Sequence, residues 1–67
     1  MYDMARNGQK LVALRGNKSQ ATVASDIGIS ISALAMYESG QRNPRDDVKL
    51  ALANYYGVSV AYLFFDQ

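Results

Sequence analysis

Few side chains in this 67-residue sequence could carry out chemistry. It contains no histidine and no cysteine, so the commonest general base, thiol nucleophiles and soft metal ligands are all missing. The adjacent carboxylates Asp46 and Asp47 lie in the first turn of a predicted helix, where negative charge is favoured by the helix dipole. The sequence also has no glycine-rich phosphate loop. We therefore predict that the chain is not an enzyme, and we expect no metal, cofactor or small-molecule substrate.

The basic residues are the remaining candidates for function. Seven of them stand against six acidic residues, which gives a net charge of +1. This balance is weak support for nucleic-acid binding, which usually goes with a strongly basic chain. Arg42, Arg45 and Lys49 nevertheless cluster after Gly40. Scattered charges often do no more than solubilise a surface, but this cluster favours contact with phosphate groups.

Length and composition limit the architecture. We expect residues 1–67 to form one small domain, since 49% of the residues are hydrophobic and 19% are charged, as in a folded globule. Without cysteine there can be no disulfide, and a reducing cytoplasm is the simplest compartment. No apolar run approaches the roughly 20 residues that cross a bilayer. We expect a cytoplasmic protein with no membrane partner.

Apolar spacing and capping residues predict an all-α chain of five short helices. Asp3, Ser19, Ser30 and Ser59 are suited to capping helix N-termini, and no alternating run is long enough for a strand. The predicted helices cover Met4–Leu14, Gln20–Asp26, Ser30–Ser39, Asp46–Tyr56 and Ser59–Phe65.

Several apolar residues are assigned to the core. Leu34 and Tyr37 lie three apart on the third helix, on the face that must pack against the rest of the chain. The pairs Tyr55-Tyr56 and Phe64-Phe65 cannot place both members on one face, since consecutive helical residues point about 100° apart. We expect at least one member of each pair in the core, while the other could contact a second copy of the chain.

The most informative feature is the spacing of the second and third helices. Only Gly28 and its neighbours separate them, and a turn of three or four residues containing glycine makes two helices cross steeply. The second of the two then projects as a rod that fits the major groove of DNA, which is about 12 Å wide. This spacing predicts a helix-turn-helix.

The sequence resembles the Xre-like helix-turn-helix family, which includes the lambdoid phage repressors and Cro proteins. The similarity is carried over nearly the whole chain by Leu14-Arg15, Ser19-Gln20, Val23-Ala24, Gly28-Ile29-Ser30, Tyr37-Glu38-Ser39-Gly40, Arg42-Asn43-Pro44, Leu52-Ala53 and Tyr56-Gly57-Val58-Ser59. It implies a compact five-helix bundle of the lambda-repressor-like type. It also implies a prokaryotic or phage transcriptional regulator, a repressor that binds double-stranded DNA as a homodimer.

The resemblance also implies roles for individual residues. Those that match positions touching base edges are Ser30, Ile31, Ser32, Ala33 and Met36. Those that match positions along the phosphate backbone are Lys18, Ser19, Gln20, Ser39, Gln41, Arg42, Asn43 and Arg45, the last near the minor groove. Arg15 and Glu38 could form a solvated pair, but the family pattern favours a partly buried ion pair between the first and third helices.

The third helix departs from the better-characterised phage repressors, which read bases with glutamine or charged side chains. Ile31, Ala33 and Met36 can only contact thymine methyl groups, and Ser32 offers a single hydroxyl. We therefore expect modest direct readout, supplemented by DNA shape and by two half-sites. The same apolar side chains would also suit a protein partner. The alternative is accordingly a protein-interaction module, similar to an antirepressor or toxin partner, that uses the apolar face of this helix.

Overall fold

The structure of the chain is a computed structural model that describes residues 3–65. Within this range it contains five helices and no strand, which confirms the all-α prediction. The helices are α1 (Met4–Arg15), α2 (Gln20–Ile27), α3 (Ile31–Ser39), α4 (Asp46–Tyr56) and a C-terminal π-helical segment (Ala61–Phe65). Their boundaries agree with the predicted ones to within about two residues.

Short polar side chains start three of the α-helices, as the sequence predicts. The backbone amide of Arg6 donates to Asp3 Oδ1 at 3.1 Å. Ser19 Oγ accepts the amide of Thr22, and Ser30 Oγ accepts that of Ala33, both at 3.0 Å. Each bond satisfies one amide that has no partner within its own helix, so these residues fix where α1, α2 and α3 begin.

The C-terminal segment is held by side chains from α1. Its start is capped by Ser59, whose Oγ accepts the amide of Tyr62 at 2.9 Å. Two of its carbonyl groups accept hydrogen bonds from side chains of α1. Lys10 Nζ donates to the carbonyl oxygen of Tyr62 at 2.6 Å, and Asn7 Nδ2 donates to that of Phe64 at 3.4 Å. These contacts hold the C-terminal segment against α1.

The core forms where all five helices meet. Its largest fully buried side chains are Leu11, Val23, Leu34, Leu52, Leu63 and Phe64. Tyr37 is also buried, so both residues of α3 that were assigned to the core are confirmed there. Phe64 is buried while Phe65 is 59% exposed, as expected for the phenylalanine pair.

The expectation for the tyrosine pair is wrong, because neither ring is fully buried. Tyr55 and Tyr56 both lie at the rim of the core, with ring centroids 5.1 Å apart in an edge-to-face arrangement. For Tyr55 the physical reason is its hydroxyl group, whereas the hydroxyl of Tyr56 is buried and the rest of that residue is partly exposed. The hydroxyl of Tyr55 makes hydrogen bonds with polar side chains at the surface, and that of Tyr56 lies near the charged groups of Arg15 and Glu38.

Close contact between α1 and α3 depends on Gly8. A Cβ atom at this position would lie 2.9 Å from the carbonyl oxygen of Tyr37 and 2.8 Å from the carbonyl carbon of Glu38. Any side chain would therefore push α1 off the backbone of α3. Glycine within a helix costs about 1 kcal/mol relative to alanine, and here the close packing of the two helices compensates for that cost.

No helix between residues 3 and 65 is both long enough and apolar enough to span a membrane.

Candidate nucleic-acid interface

The bend between α2 and α3 is built by Gly28. This residue has φ of 79° and ψ of 33°, in the left-handed region where glycine is favoured over residues with a Cβ. The amides of Gly28 and Ile29 both donate to the carbonyl oxygen of Ala24 at 2.9 Å, which closes the end of α2. Only three residues separate α2 from α3. The structure therefore contains the tight bend that the sequence predicts, with two separate helices on either side.

The two faces of α3 differ sharply in exposure. Leu34, Tyr37 and Glu38 are buried against the rest of the chain. The opposite face begins with Ser30 and includes Ile31, which is 52% exposed. Of the five residues expected at base edges, Ser30, Ile31 and Ser32 are exposed, whereas Ala33 and Met36 are half-buried. The N-terminal turn of α3 is therefore its most accessible part.

A buried carboxylate joins α1, α2 and α3. Glu38 Oε2 accepts Arg15 Nε at 2.7 Å, and Glu38 Oε1 accepts Arg15 Nη2 at 3.2 Å. Gln20 Nε2 donates to the same Oε1 at 2.8 Å. The side chain of Glu38 is 4% exposed and that of Arg15 is 19% exposed. The hydrogen bond to Glu38 raises the pKa of Arg15 above its ordinary value, because it stabilises the charged guanidinium.

Gln20 lies at the first position of α2 with part of its amide already engaged. The amide nitrogen carries two hydrogens, of which Glu38 takes one. The second hydrogen remains as a possible donor to a phosphate oxygen at the N-terminus of α2, where backbone amides also favour an anion. Sequence reasoning assigned Gln20 to phosphate but did not connect it with Glu38, since the two residues are 18 positions apart.

The loop after α3 exposes the other expected backbone contacts. Ser39, Gln41, Arg42, Asn43 and Arg45 are all exposed, and the loop is anchored by the buried Pro44. Ser39 Oγ donates to the carbonyl oxygen of Met36 at 3.2 Å. Arg45 approaches Asp47 at 3.6 Å, with both side chains mostly exposed. Such a pair is weak in water, so it can give way to a stronger anion.

The expectation that Lys49 contacts phosphate together with Arg42 and Arg45 is wrong. Lys49 is buried on α4, because its ammonium packs 5.6 Å from the ring centre of Phe64 and 4.9 Å from that of Phe65.

Two further candidates, Ser19 and Lys18, lie just before α2. Ser19 caps that helix, and its hydroxyl also donates to Thr22 Oγ1 at 2.9 Å. Lys18 points elsewhere, with its ammonium donating to the hydroxyl of Tyr55 at 2.8 Å. The structure thus brings Gln20, Arg15 and Glu38 together, while the ammonium of Lys18 belongs to a different cluster.

The bend, the capped α3 and its exposed first turn are the defining parts of a helix-turn-helix domain. Residues 10–63 match the family model described as "Helix-turn-helix". The chain therefore belongs to the Xre-like helix-turn-helix family, a class of DNA-binding transcriptional regulators. The match spans most of the sequence and includes α2, α3 and α4 in full, together with the second half of α1 and the start of the C-terminal segment.

A solved structure shows the same fold. The chain is similar to the restriction-modification controller protein C.AhdI from Aeromonas hydrophila, known from a crystal structure. The two are 36% identical, with a TM-score of 0.81 over 92% of this chain and 97% of that one. A comparison with curated proteins finds no significant match.

Tyr56 has a buried hydroxyl with no hydrogen-bond partner among residues 3–65. Burial raises the pKa of Tyr56 to about 12, because the phenolate would lose its hydration, and the nearby negative charge of Glu38 acts in the same direction. The folded state therefore favours the neutral phenol more strongly than the unfolded state does, in which the pKa is about 10. The resulting stabilisation is present below pH 10 and is lost as the pH rises from 10 towards 12.

We predict that Tyr56→Phe unfolds less readily in alkaline solution than the wild type. At pH 7 the variant should be as stable or more stable by up to about 1 kcal/mol, because a buried hydroxyl without a partner is removed. Its stability should also fall less between pH 10 and 12. Urea denaturation across this range measures both effects, with Tyr62→Phe as the control for loss of a hydroxyl from a side chain that is 43% exposed. A Tyr56→Phe chain that is less stable at pH 7, with an unchanged alkaline profile, would refute the assignment.

Proposed function

We propose that the chain binds double-stranded DNA sequence-specifically by inserting α3 in the major groove, and that it acts as a dimeric repressor. The observation that carries this proposal is the contrast between the two faces of α3. Leu34, Tyr37 and Glu38 fix one face within the protein, while Ser30, Ile31 and Ser32 present the other to the surroundings. A helix held rigidly on one side and open on the other has the form that groove recognition requires.

Base readout is assigned to the exposed first turn. Ile31 can pack against thymine methyl groups, and the hydroxyl of Ser32 can donate to or accept from a base edge. Ser30 Oγ already accepts the amide of Ala33, so its contribution to DNA is as a hydroxyl donor. Ala33 and Met36 reach bases only through their exposed edges. None of these side chains makes the bidentate pairs that discriminate most strongly, so sequence-dependent DNA shape contributes to specificity.

Contacts with the DNA backbone are assigned to residues at the start of α2 and after the end of α3. At the start of α2, the second amide hydrogen of Gln20 donates to phosphate, and the hydroxyl of Ser19 does so once it turns away from Thr22 Oγ1. After α3, the exposed loop supplies Ser39, Gln41, Arg42, Asn43 and Arg45. These contacts are independent of base sequence, but they fix the register of α3 in the groove.

The proposal is tested by selecting bound duplexes from a random pool and measuring affinity for the selected site against salt. We expect a linear fall of log K with log salt, with a slope of about −0.9 per phosphate neutralised. The double substitution Arg42→Ala with Arg45→Ala should weaken binding to all duplexes alike and make the slope shallower by about 1 to 2.

Substitutions on α3 should act differently. Ile31→Ala and Ser32→Ala should reduce the preference for the selected site over a random duplex and leave the salt slope in place. Val12→Ala provides the matched control, since it shortens an apolar side chain on α1 that is 43% exposed. If the wild type binds no duplex even at low salt, DNA recognition is refuted, and the exposed Ile31 is then assigned to a protein partner.

A dimer is proposed through the aromatic end, by which we mean the exposed side chains Tyr62 and Phe65 of the C-terminal segment. Phe65 is 59% exposed and Tyr62 is 43% exposed, and both lie on the segment that Lys10 and Asn7 fasten to α1. Large exposed aromatic side chains are favourable anchors for an interface. A two-fold dimer would place two copies of α3 about one helical turn of DNA apart, at roughly 34–36 Å.

We predict that Phe65→Ser shifts the chain from dimer to monomer, because it removes the largest apolar contact of the proposed interface. Sedimentation equilibrium measures the change in association. Val12→Ser is the control, as an exposed apolar residue of α1 outside the aromatic end. Equal association of Phe65→Ser and wild type would exclude this interface, and a wild type that stays monomeric on its selected duplex would exclude the dimer altogether.

The regulatory role follows from where such a dimer would sit. A dimer that occupies a promoter blocks access to it, which is the basis for proposing repression. The similarity to a restriction-modification controller protein supports a role in controlling gene expression. The position of the selected sites relative to promoters decides between repression and activation.

A further inference from the structure

Lys18 is tied to the protein at both its backbone and its side chain. Its amide donates to the carbonyl oxygen of Arg15 at 3.2 Å, and its own carbonyl accepts Arg15 Nη1 at 2.8 Å. Its ammonium donates to the hydroxyl of Tyr55 at 2.8 Å and lies 4.7 Å from the centre of that ring. The hydrogen bond to Tyr55 also raises the pKa of Lys18 above its ordinary value, which keeps the ammonium charged.

A carboxylate completes this cluster. The hydroxyl of Tyr55 accepts from Lys18 and donates to Asp26 Oδ2 at 2.7 Å. The three side chains thus form a chain of hydrogen bonds from the ammonium to the carboxylate, across α4 and the last turn of α2. The negative charge of Asp26 attracts the ammonium of Lys18 and so favours its position close to the protein.

The cluster lies away from the proposed phosphate contact of α2. Asp26 follows Gln20 by six residues, and at 100° per residue the two side chains leave α2 about 120° apart. Gln20 turns towards Glu38, whereas Lys18 turns towards Tyr55 and Asp26. A lysine that adjoins the N-terminus of α2 in sequence is therefore directed to a different side of the helix.

We propose that Tyr55 and Asp26 hold Lys18 away from the DNA backbone and thereby limit how strongly the chain binds DNA of any sequence. This inference rests on the proposed function, because it concerns the strength of the phosphate grip. Contacts from lysine to phosphate add affinity without adding sequence discrimination. The chain has seven lysine and arginine residues, so restraining one of them removes a sizeable share of the possible phosphate contacts and increases the ratio of specific to non-specific binding.

The test is a cycle of four proteins: wild type, Lys18→Met, the double variant Tyr55→Phe with Asp26→Asn, and the triple variant. The double variant removes both groups that hold the ammonium, so that Lys18 cannot simply pair with Asp26 once the hydroxyl is gone. Removal of the Asp26 charge has its own long-range effect on DNA affinity, but that effect is common to the two proteins with the double change and cancels in the cycle. Affinities for the selected duplex and a random duplex are measured against salt, under conditions where thermal melts show each protein to be folded.

Lys18→Met should change the salt slope much less in the wild-type chain than in the double variant, where it should make the slope shallower by about 0.9. The double variant should also bind the random duplex more tightly than the wild type, and the triple variant should lose the part of that gain that comes from Lys18 while it keeps the part that comes from the missing Asp26 charge. An equal effect of Lys18→Met in both backgrounds, whether about 0.9 or none, would overturn this inference and leave the proposed function intact. Failure of all four proteins to bind any duplex at low salt would overturn the proposed function, and this inference with it.

Discussion

The arrangement of the first three helices depends on the buried carboxylate of Glu38. Removing a carboxylate from water is costly unless its oxygens are fully hydrogen-bonded. Here Arg15 supplies a compensating charge and two donors, and Gln20 supplies a third. Because these residues come from three helices, the free energy that keeps the charge satisfied also fixes α1, α2 and α3 relative to one another.

Backbone geometry and apolar packing also fix the position of α3. Gly8 lets α1 approach the carbonyl groups at the C-terminal end of α3, near Glu38 itself. Gly28 turns the chain sharply between α2 and α3, and Ser30 fixes the first turn of α3 by capping it. Leu34 then anchors the inner face of α3 in the core. With one face and both ends of α3 fixed, its exposed first turn is presented as a rigid surface, which is the property that the proposed readout of DNA needs.

Local features of the sequence predicted most of the fold. The caps at Asp3, Ser19 and Ser30 and the break at Gly28 act within a few residues of where they stand, so they can be identified without coordinates. The π winding of the C-terminal segment could not be identified in this way, since a short apolar run fits several helix types. The partial burial of both Tyr55 and Tyr56 was also missed, because it depends on how residues distant in sequence pack around the two rings and, for Tyr55, on the partners of its hydroxyl.

The site was predictable only in part, for the same reason. The exposed turn of α3 follows from its position after the bend. The bond between Gln20 and Glu38 and the cluster of Lys18, Tyr55 and Asp26 join residues 18 to 37 positions apart. Neither capping patterns nor apolar spacing encode such pairs. In the proposed complex, these contacts leave Gln20 able to donate to the DNA backbone and hold Lys18 away from it. The types of the two residues alone would not suggest this difference.

The central claim is that the charge on Glu38 holds the helix pair in the geometry that binds DNA. The most direct measurement is the affinity of Glu38→Gln for its selected duplex, at a temperature where circular dichroism shows the variant to be fully folded. Glutamine keeps the shape of the side chain but replaces one acceptor by a donor and removes the charge that Arg15 requires. Hydrogen bonds to charged groups contribute about 1.5–3 kcal/mol, so we expect affinity to fall about tenfold or more. A folded Glu38→Gln chain that binds with wild-type affinity and salt slope would contradict this account.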